Sequence, residues 1–149
     1  MRNGDLVPEF ELPDQDGVTR TLSEFLEKGP LVLFFYPAAM TTGCTKESCH
    51  FRDLAAEFEA AGAQRVGISM DTVEAQKTFS DTNSFDYPLL ADVDGSVAEA
   101  FGVRQAESEK DPVLRATFVI ATDRKVVRAL EDDRSMEIHA DEALSALRS

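Results

Sequence analysis

The stretch Leu31-Val-Leu-Phe-Phe-Tyr36-Pro-Ala-Ala-Met-Thr-Thr-Gly-Cys44-Thr-Lys-Glu-Ser-Cys49 decides the fold. Its first part, Leu31 to Tyr36, is continuously apolar, the pattern of a strand buried on both faces of a sheet. Pro37 can end that strand. A helix is expected next, from about Thr45 to Ala61, because Phe51, Leu54, Ala55 and Phe58 recur at i, i+3, i+4 and i+7 and form one apolar stripe. A strand that runs directly into a helix puts Cys44 at the first helical turn. A thiol there meets the positive end of the helix dipole and unpaired backbone N–H groups. Both favour the thiolate, which is the reactive form. Cys44 also shares the apolar stripe of its helix, so its base is packed while its sulfur can face a shallow pocket.

Working outward, Phe10 and Leu12 alternate with polar residues, and Asp16-Gly17 turns the chain back through Val18, which reads as a hairpin. Thr21-Leu-Ser-Glu24 has the pattern of a capping box for a short helix ending near Gly29. Arg65-Val-Gly-Ile-Ser69 is expected as a second central strand. Asp71-Thr-Val-Glu74 would cap a helix to about Thr82. Pro88 to Ala91 is a short extended piece, and Ser96-Val-Ala-Glu99 opens a brief helix that stops near Gly102. Thr117 to Ala121 and Lys125 to Leu130 read as two strands joined at Thr122-Asp123-Arg124. His139 to Arg148 closes the chain as a helix with Leu144 and Leu147 inward. The expected class is α/β, a central mixed sheet flanked by helices on both faces, and the element order is similar to that of the thioredoxin-like fold.

Composition bounds the function. The 149 residues fit a single domain, 1–149, with no linker, repeat or low-complexity stretch dividing them, and 43% hydrophobic residues are enough to fill its core without disulfide staples. The formal charge of −13 argues against nucleic acid or an anionic membrane as partner, since both need a basic face. No secretory signal or membrane-length apolar run is present, so a cytoplasmic location is expected. In that reducing compartment two cysteines are more readily catalytic or metal-binding than structural.

The spacing of the two cysteines has a geometric consequence. Five residues along a helix correspond to about 140° of rotation and about 7.5 Å of rise. The implied Cα separation is roughly 8–9 Å, beyond the ~7 Å limit for a disulfide. Cys44 and Cys49 therefore cannot bond while the helix start is intact, and a bond between them requires local unwinding. Around Cys44, Thr41 or Thr42 can cap the helix, a hydroxyl there can donate to a bound oxygen, and Gly43 permits close backbone approach. Arg115, just before the Thr117 strand, is the cation that topology could bring to the sulfur.

These residues carry a family resemblance. Pro37-x-x-x-Thr41-x-x-Cys44 matches the active-site motif of peroxiredoxins, and Tyr36-Pro…Gly43-Cys-Thr-Lys-Glu-Ser-Cys49-His-Phe-Arg-Asp53 resembles the bacterioferritin comigratory protein/peroxiredoxin Q branch. Pro8 to Leu12, Tyr87 to Asp92, Phe101-Gly-Val103 and Arg115 to Ile120 resemble family segments in the expected order. The resemblance implies a thiol-dependent peroxidase acting on hydrogen peroxide or organic hydroperoxides, with no metal, flavin or haem cofactor. Cys44 would be the peroxidatic cysteine and Cys49 the resolving one. Thr41 and Arg115 would orient the peroxide, Pro37 would shield the sulfur, and Glu47 would orient Arg115. Thioredoxin or a similar dithiol would be the reductant, and the branch suggests a monomer. Two positions depart from the branch pattern: Thr42 stands where proline is usual, which frees φ in the loop before Cys44, and Ala121 stands where an acidic residue is common.

Two other classes compete. A metal-binding chaperone could draw on Cys44, Cys49, His50 and His139, but the spacing lacks the paired ligands of structural zinc sites. A thiol–disulfide oxidoreductase without peroxidase activity typically separates its cysteines by two residues, and here four intervene. Asp92-Val-Asp-Gly95 opens like a calcium loop, but Val103 stands at the bidentate position, so a turn is expected. Glu107 to Asp111 reads as a solvated loop.

Overall fold

The computed structural model describes residues 1–105, 112–131 and 138–148; the expected loop at Glu107 to Asp111 lies outside them. The strands are β1 (Glu11–Pro13), β2 (Thr19–Thr21), β3 (Leu31–Phe35), β4 (Gln64–Ser69), β5 (Leu89–Ala91), β6 (Ala116–Ile120) and β7 (Val126–Leu130). The helices are α1 (Leu22–Leu26), α2 (Thr42–Asp53), α3 (Ala55–Ala60), α4 (Val73–Asn83), α5 (Ser96–Ala100) and α6 (Ile138–Leu147). β1 and β2 form the expected hairpin. The other five strands make one mixed sheet in the order β5-β4-β3-β6-β7, with β3, β4 and β5 parallel and β6 antiparallel to both of its neighbours.

β3 is buried along its whole length, as its unbroken apolar run requires. Its side chains alternate between two cores. Leu31, Leu33 and Phe35 join Leu22, Phe25, Val97 and Phe101 on the α1 and α5 side. Val32, Phe34 and Tyr36 join Cys44, Phe51, Phe58, Phe79 and Leu144 on the side of α2, α3, α4 and α6. Helices thus cover both faces. Phe34 stacks on Phe51 with ring centroids 4.1 Å apart, and Phe51 stacks on Phe58 at 5.8 Å. Gly67 of β4 makes room for this, since a Cβ there would come within 3.0 Å of the Phe34 ring and 2.8 Å of Leu89 Cδ2.

Local boundaries differ from the sequence expectation in three places. The helix expected over Thr45 to Ala61 begins earlier and is broken in two: Thr41 is the extended N-cap of α2, and Leu54, at φ −94° and ψ 20°, separates α2 from α3. The apolar stripe continues across that break because the Phe58 backbone N–H still donates to Leu54 O at 3.0 Å. The N-cap of α4 is Thr72 rather than Asp71, with the Thr72 hydroxyl accepting from Ala75 N. α5 is capped not by Ser96 but by Asp92, whose carboxylate accepts from Val97 N and Ala98 N, while Gly95 takes the left-handed conformation the turn needs. The capping box at Thr21 and Glu24 forms as expected.

Candidate active site

Sheet pairing explains why residues 71 positions apart meet. β6 runs antiparallel to β3, and Ala116 is the register partner of Phe35. The chain therefore enters β6 beside the point where it leaves β3 for α2. Arg115 precedes Ala116, and Cys44 is the third residue of α2.

Cys44 is buried, and its Sγ accepts from Arg115 Nη2 at 3.3 Å. Glu47 lies one turn further along α2, on the same side of the helix, and its Oε1 accepts from Arg115 Nη1 at 2.8 Å. One guanidinium thus spans the sulfur and a carboxylate. Glu47 is fully buried; desolvation, only partly opposed by Arg115, pushes its pKa up to about 8. Burial acts to lower the Arg115 pKa, yet the neighbouring Glu47 and Cys44 charges hold it above its ordinary value.

The remaining expected residues lie in the loop before α2 and within α2 itself. Pro37 follows the end of β3 and is half-buried, and Gly43 is half-buried in the first turn of α2. Thr41 occupies the N-cap position, but its hydroxyl makes no cap; it donates instead to Ala38 O at 2.9 Å. Met40, just before it, takes φ 66° and is exposed. Cys49 sits five residues on in the same intact helix and is half-buried, with Sγ 3.6 Å from Asn83 Oδ1. Both cysteines are free thiols.

α2 is held by contacts from β4, the end of α4, the approach to β5, and α6. Tyr87 donates to Ser48 O at 2.7 Å, Arg65 Nη1 to Phe51 O at 2.9 Å, and Arg52 Nη1 to Asn83 O at 2.7 Å. His50 Nε2 lies 2.8 Å from Asp141 Oδ1 on α6. His139, the other histidine weighed as a metal ligand, is buried against β6, its Nδ1 2.8 Å from Thr117 Oγ1 and 3.8 Å from Glu47 Oε2.

Two sets of contacts beside the site are not expected from the sequence, although some of their residues stand out there in other roles. Asp71 accepts from Ala39 N at 2.8 Å and so ties the loop after β3 to the end of β4. Ser69 donates to the same carboxylate, Gln76 Nε2 donates to Ser69 Oγ at 3.0 Å, and Tyr36 donates to Gln76 Oε1. The other is the approach of Glu47 on α2 to His139 on α6. Short-range patterns could not have exposed either, because each joins residues far apart in the chain.

A strand, a tight loop, a buried thiol in a helix's first turn and an arginine delivered by the antiparallel neighbour thus meet at one point of this chain. Residues 3–129 match the model of the AhpC/TSA family. The chain belongs to that family. Peroxiredoxin Bcp of Escherichia coli is 37% identical over 143 residues, covering 93% of this chain and 91% of that protein. The crystal structure of peroxidoxin BcpB from Mycobacterium tuberculosis superposes with a TM-score of 0.95 at 57% identity, covering 99% of this chain and 97% of the other. The bacterioferritin comigratory protein of Xanthomonas campestris, in a study of its alkyl peroxide reduction activity, gives 0.83 at 33% identity over 93% and 90% of the two chains. These likenesses support the bacterioferritin comigratory protein/peroxiredoxin Q branch within the family, and with it a thioredoxin-like fold and the activity of a thiol-dependent peroxidase. Among the described residues, no helix of this peroxiredoxin is long and apolar enough to cross a membrane.

Proposed function

We propose that this peroxiredoxin reduces hydroperoxides with Cys44 as the attacking thiolate and Cys49 as the resolving thiol. The observation that carries the reading is the Arg115 guanidinium, held by Glu47 and donating to the buried Cys44 sulfur. Cys44 attacks one peroxide oxygen; the S–O bond forms as the O–O bond breaks, sulfur is oxidised by two electrons, and the departing oxygen takes a proton to leave as water or alcohol. Arg115 and the N–H groups at the start of α2 face the charge that develops on the oxygens, where preorganised donors act most strongly. Thr41 adds a hydroxyl to the same rim once its bond to Ala38 O is released, and Pro37 covers the sulfur.

The resulting sulfenic acid is attacked by Cys49. The S–S bond forms and hydroxide leaves to become water, at the expense of the helical turns between the two residues. A dithiol protein such as thioredoxin then exchanges with the disulfide and restores both thiols. The alkyl peroxide activity named for the Xanthomonas campestris relative supports organic hydroperoxides beside hydrogen peroxide as substrates. The acidic surface supports a chain that meets neither nucleic acid nor an anionic membrane. We place the enzyme in the cytoplasm as a single-domain monomer, in keeping with its two free cysteines and with the branch it resembles.

The deciding experiment is the intact mass of reduced protein after one equivalent of hydrogen peroxide, beside a Cys49→Ser variant. Rapid loss of two hydrogens in the wild type and one added oxygen in the variant is the expected result. A wild type that stays at one or more added oxygens removes Cys49 as resolver. A Cys44 no faster than an ordinary free thiol overturns the peroxidase reading.

A further inference from the structure

The site as described leaves one charge unbalanced. When Cys44 is a thiolate and Glu47 a carboxylate, two buried negative groups share the single positive charge of Arg115. An uncompensated buried charge is costly. Glu47 also has an oxygen to spare: Oε1 is taken by Arg115, whereas Oε2 is buried with no hydrogen-bond partner among the described residues. That oxygen faces His139 Nδ1 at 3.8 Å, within ion-pair range but too long for a hydrogen bond. His139 is fully buried on α6, and the same Nδ1 lies 2.8 Å from the Thr117 hydroxyl. The Thr117 hydroxyl can donate to a bare Nδ1 or accept from a protonated one. It therefore tolerates a proton on either side of the gap.

We propose that Glu47 and His139 hold one proton between them at neutral pH, and that this proton leaves the charge of Arg115 available to Cys44. The inference rests on Cys44 being the reacting thiol. The pair acts through Arg115 and touches no reacting atom, so both are positioning residues. The titratable and charged groups brought to the pair, among the described residues, are Cys44 from α2, Arg115 from the entry to β6, and the two members themselves from α2 and α6. His50 of α2 and Asp141 of α6 pair with each other at the nearby surface. When the shared proton is lost, Arg115 faces two full anions and gives less to the oxygen that leaves the peroxide. Beside the permanently charged guanidinium, the buried carboxylate and histidine titrate as a unit, so the loss belongs to the pair rather than to either residue. Burial, partly opposed by Arg115, raises Glu47 to about 8, which sets the region in which the profile is read.

The test is the pH profile of Cys44 oxidation by hydrogen peroxide in single turnover, for wild type, Glu47→Gln and His139→Gln, all in a Cys49→Ser background. The wild-type rate constant should fall severalfold as pH rises through about 8. Glu47→Gln, which cannot lose a proton there, should lack that fall whatever its absolute rate. His139→Gln removes one of the two places the proton can rest, so its fall should begin about one pH unit lower. A merely structural role for either residue would change the height of the profile and not its upper limb. Superimposable profile shapes for the three proteins overturn the proposal. Alkylation of Cys44 by iodoacetamide and the ¹⁵N shifts of the His139 ring, assigned with a His50→Gln variant, supply readouts that need no peroxide. A wild-type His139 ring whose shifts move through the same pH region supports the pair, and one that is unchanged across it overturns it. Failure of every protein to react with peroxide, with the ring still titrating, would instead remove the peroxidase reading and leave the pair standing.

Discussion

Replacing Tyr87 by Phe tests whether α2 must open for the two cysteines to meet. The Tyr87 hydroxyl donates to Ser48 O at 2.7 Å in a buried setting, and Ser48 lies between Cys44 and Cys49. The substitution removes this bond and keeps the ring, which stacks on Phe85 and meets Phe34 edge-on. A buried hydrogen bond of this kind contributes about 1 kcal/mol net. It exists only while α2 is helical, so the whole of that energy shifts the local opening equilibrium. At 1.4 kcal/mol per tenfold, opening becomes about fivefold more favourable. If opening precedes disulfide formation as a rapid equilibrium, the disulfide should form about fivefold faster in Tyr87→Phe. The preceding attack on peroxide takes place in the closed helix and should keep its rate. Quenched-flow mass spectrometry separates the two steps, one adding an oxygen and the next losing water. The fraction of Cys44 carried on to sulfinic acid at high peroxide should fall by a similar factor, because the sulfenic acid waits less. The reasoning is refuted if disulfide formation keeps its wild-type rate while the global unfolding midpoint drops by the expected amount. The Tyr87–Ser48 bond would then survive the resolving step, and the opening would have to be confined to residues before Ser48.

Arg115→Lys keeps the charge but cannot span Glu47 and Cys44 with one planar fork, and oxidation of Cys44 should slow about 100-fold in stopped-flow measurements. Asp71→Ala releases Ala39 N and loosens the loop before Thr41, so peroxide attack should slow about tenfold, whereas Asp71→Asn, whose amide oxygen still accepts, should stay within about threefold. Glu47 also makes stability depend on pH. Its folded-state pKa is raised from 4.5 to about 8, so the folded protein holds a proton that the unfolded chain releases, and this contribution is full below about 4.5 and lost as pH rises through about 8. Relative to Glu47→Gln, the wild type should therefore lose stability between those limits in urea denaturation series, and a constant difference across that range would count against the shift.

The sequence made the central strand, the two cysteines and the element order legible because each rests on local information: an unbroken apolar run, a motif, a capping pattern. Arg115 was named from its place before Thr117, but its distance from Cys44 depends on the pairing of Phe35 with Ala116, which no short window encodes. The helix starts were less legible. Asp71 and Ser96 look like caps by residue type, yet the Asp71 carboxylate is engaged by Ala39 N and Ser69, and a buried Asp92 serves α5 better than Ser96 does. The break at Leu54 leaves the apolar stripe intact and so gives no break in the pattern. The left-handed Met40 carries none of the residue types that usually announce such a backbone. For His139 the sequence offered only the start of the last helix and a metal site that the spacing argued against, because its contacts with Glu47 and Thr117 depend on α6 packing against α2 and β6.

The aromatic stack beneath α2 sets how far the helix can come apart. Phe51 is clamped between Phe34 of the central strand and Phe58 of α3, with Arg65 on its carbonyl. Cys44 and Cys49 both lie ahead of that clamp. Unwinding can therefore run from the loop at Thr41 to Cys49 and stop, like a zipper with a fixed end, while the residues from Phe51 onward keep the sheet covered. The opened segment stays short and tethered at both ends, so the two sulfurs search a small volume and the segment rewinds onto a seat that never left. If Cys49 resolves Cys44 as proposed, each cycle undoes the start of one helix while the Phe34, Phe51 and Phe58 stack stays in place.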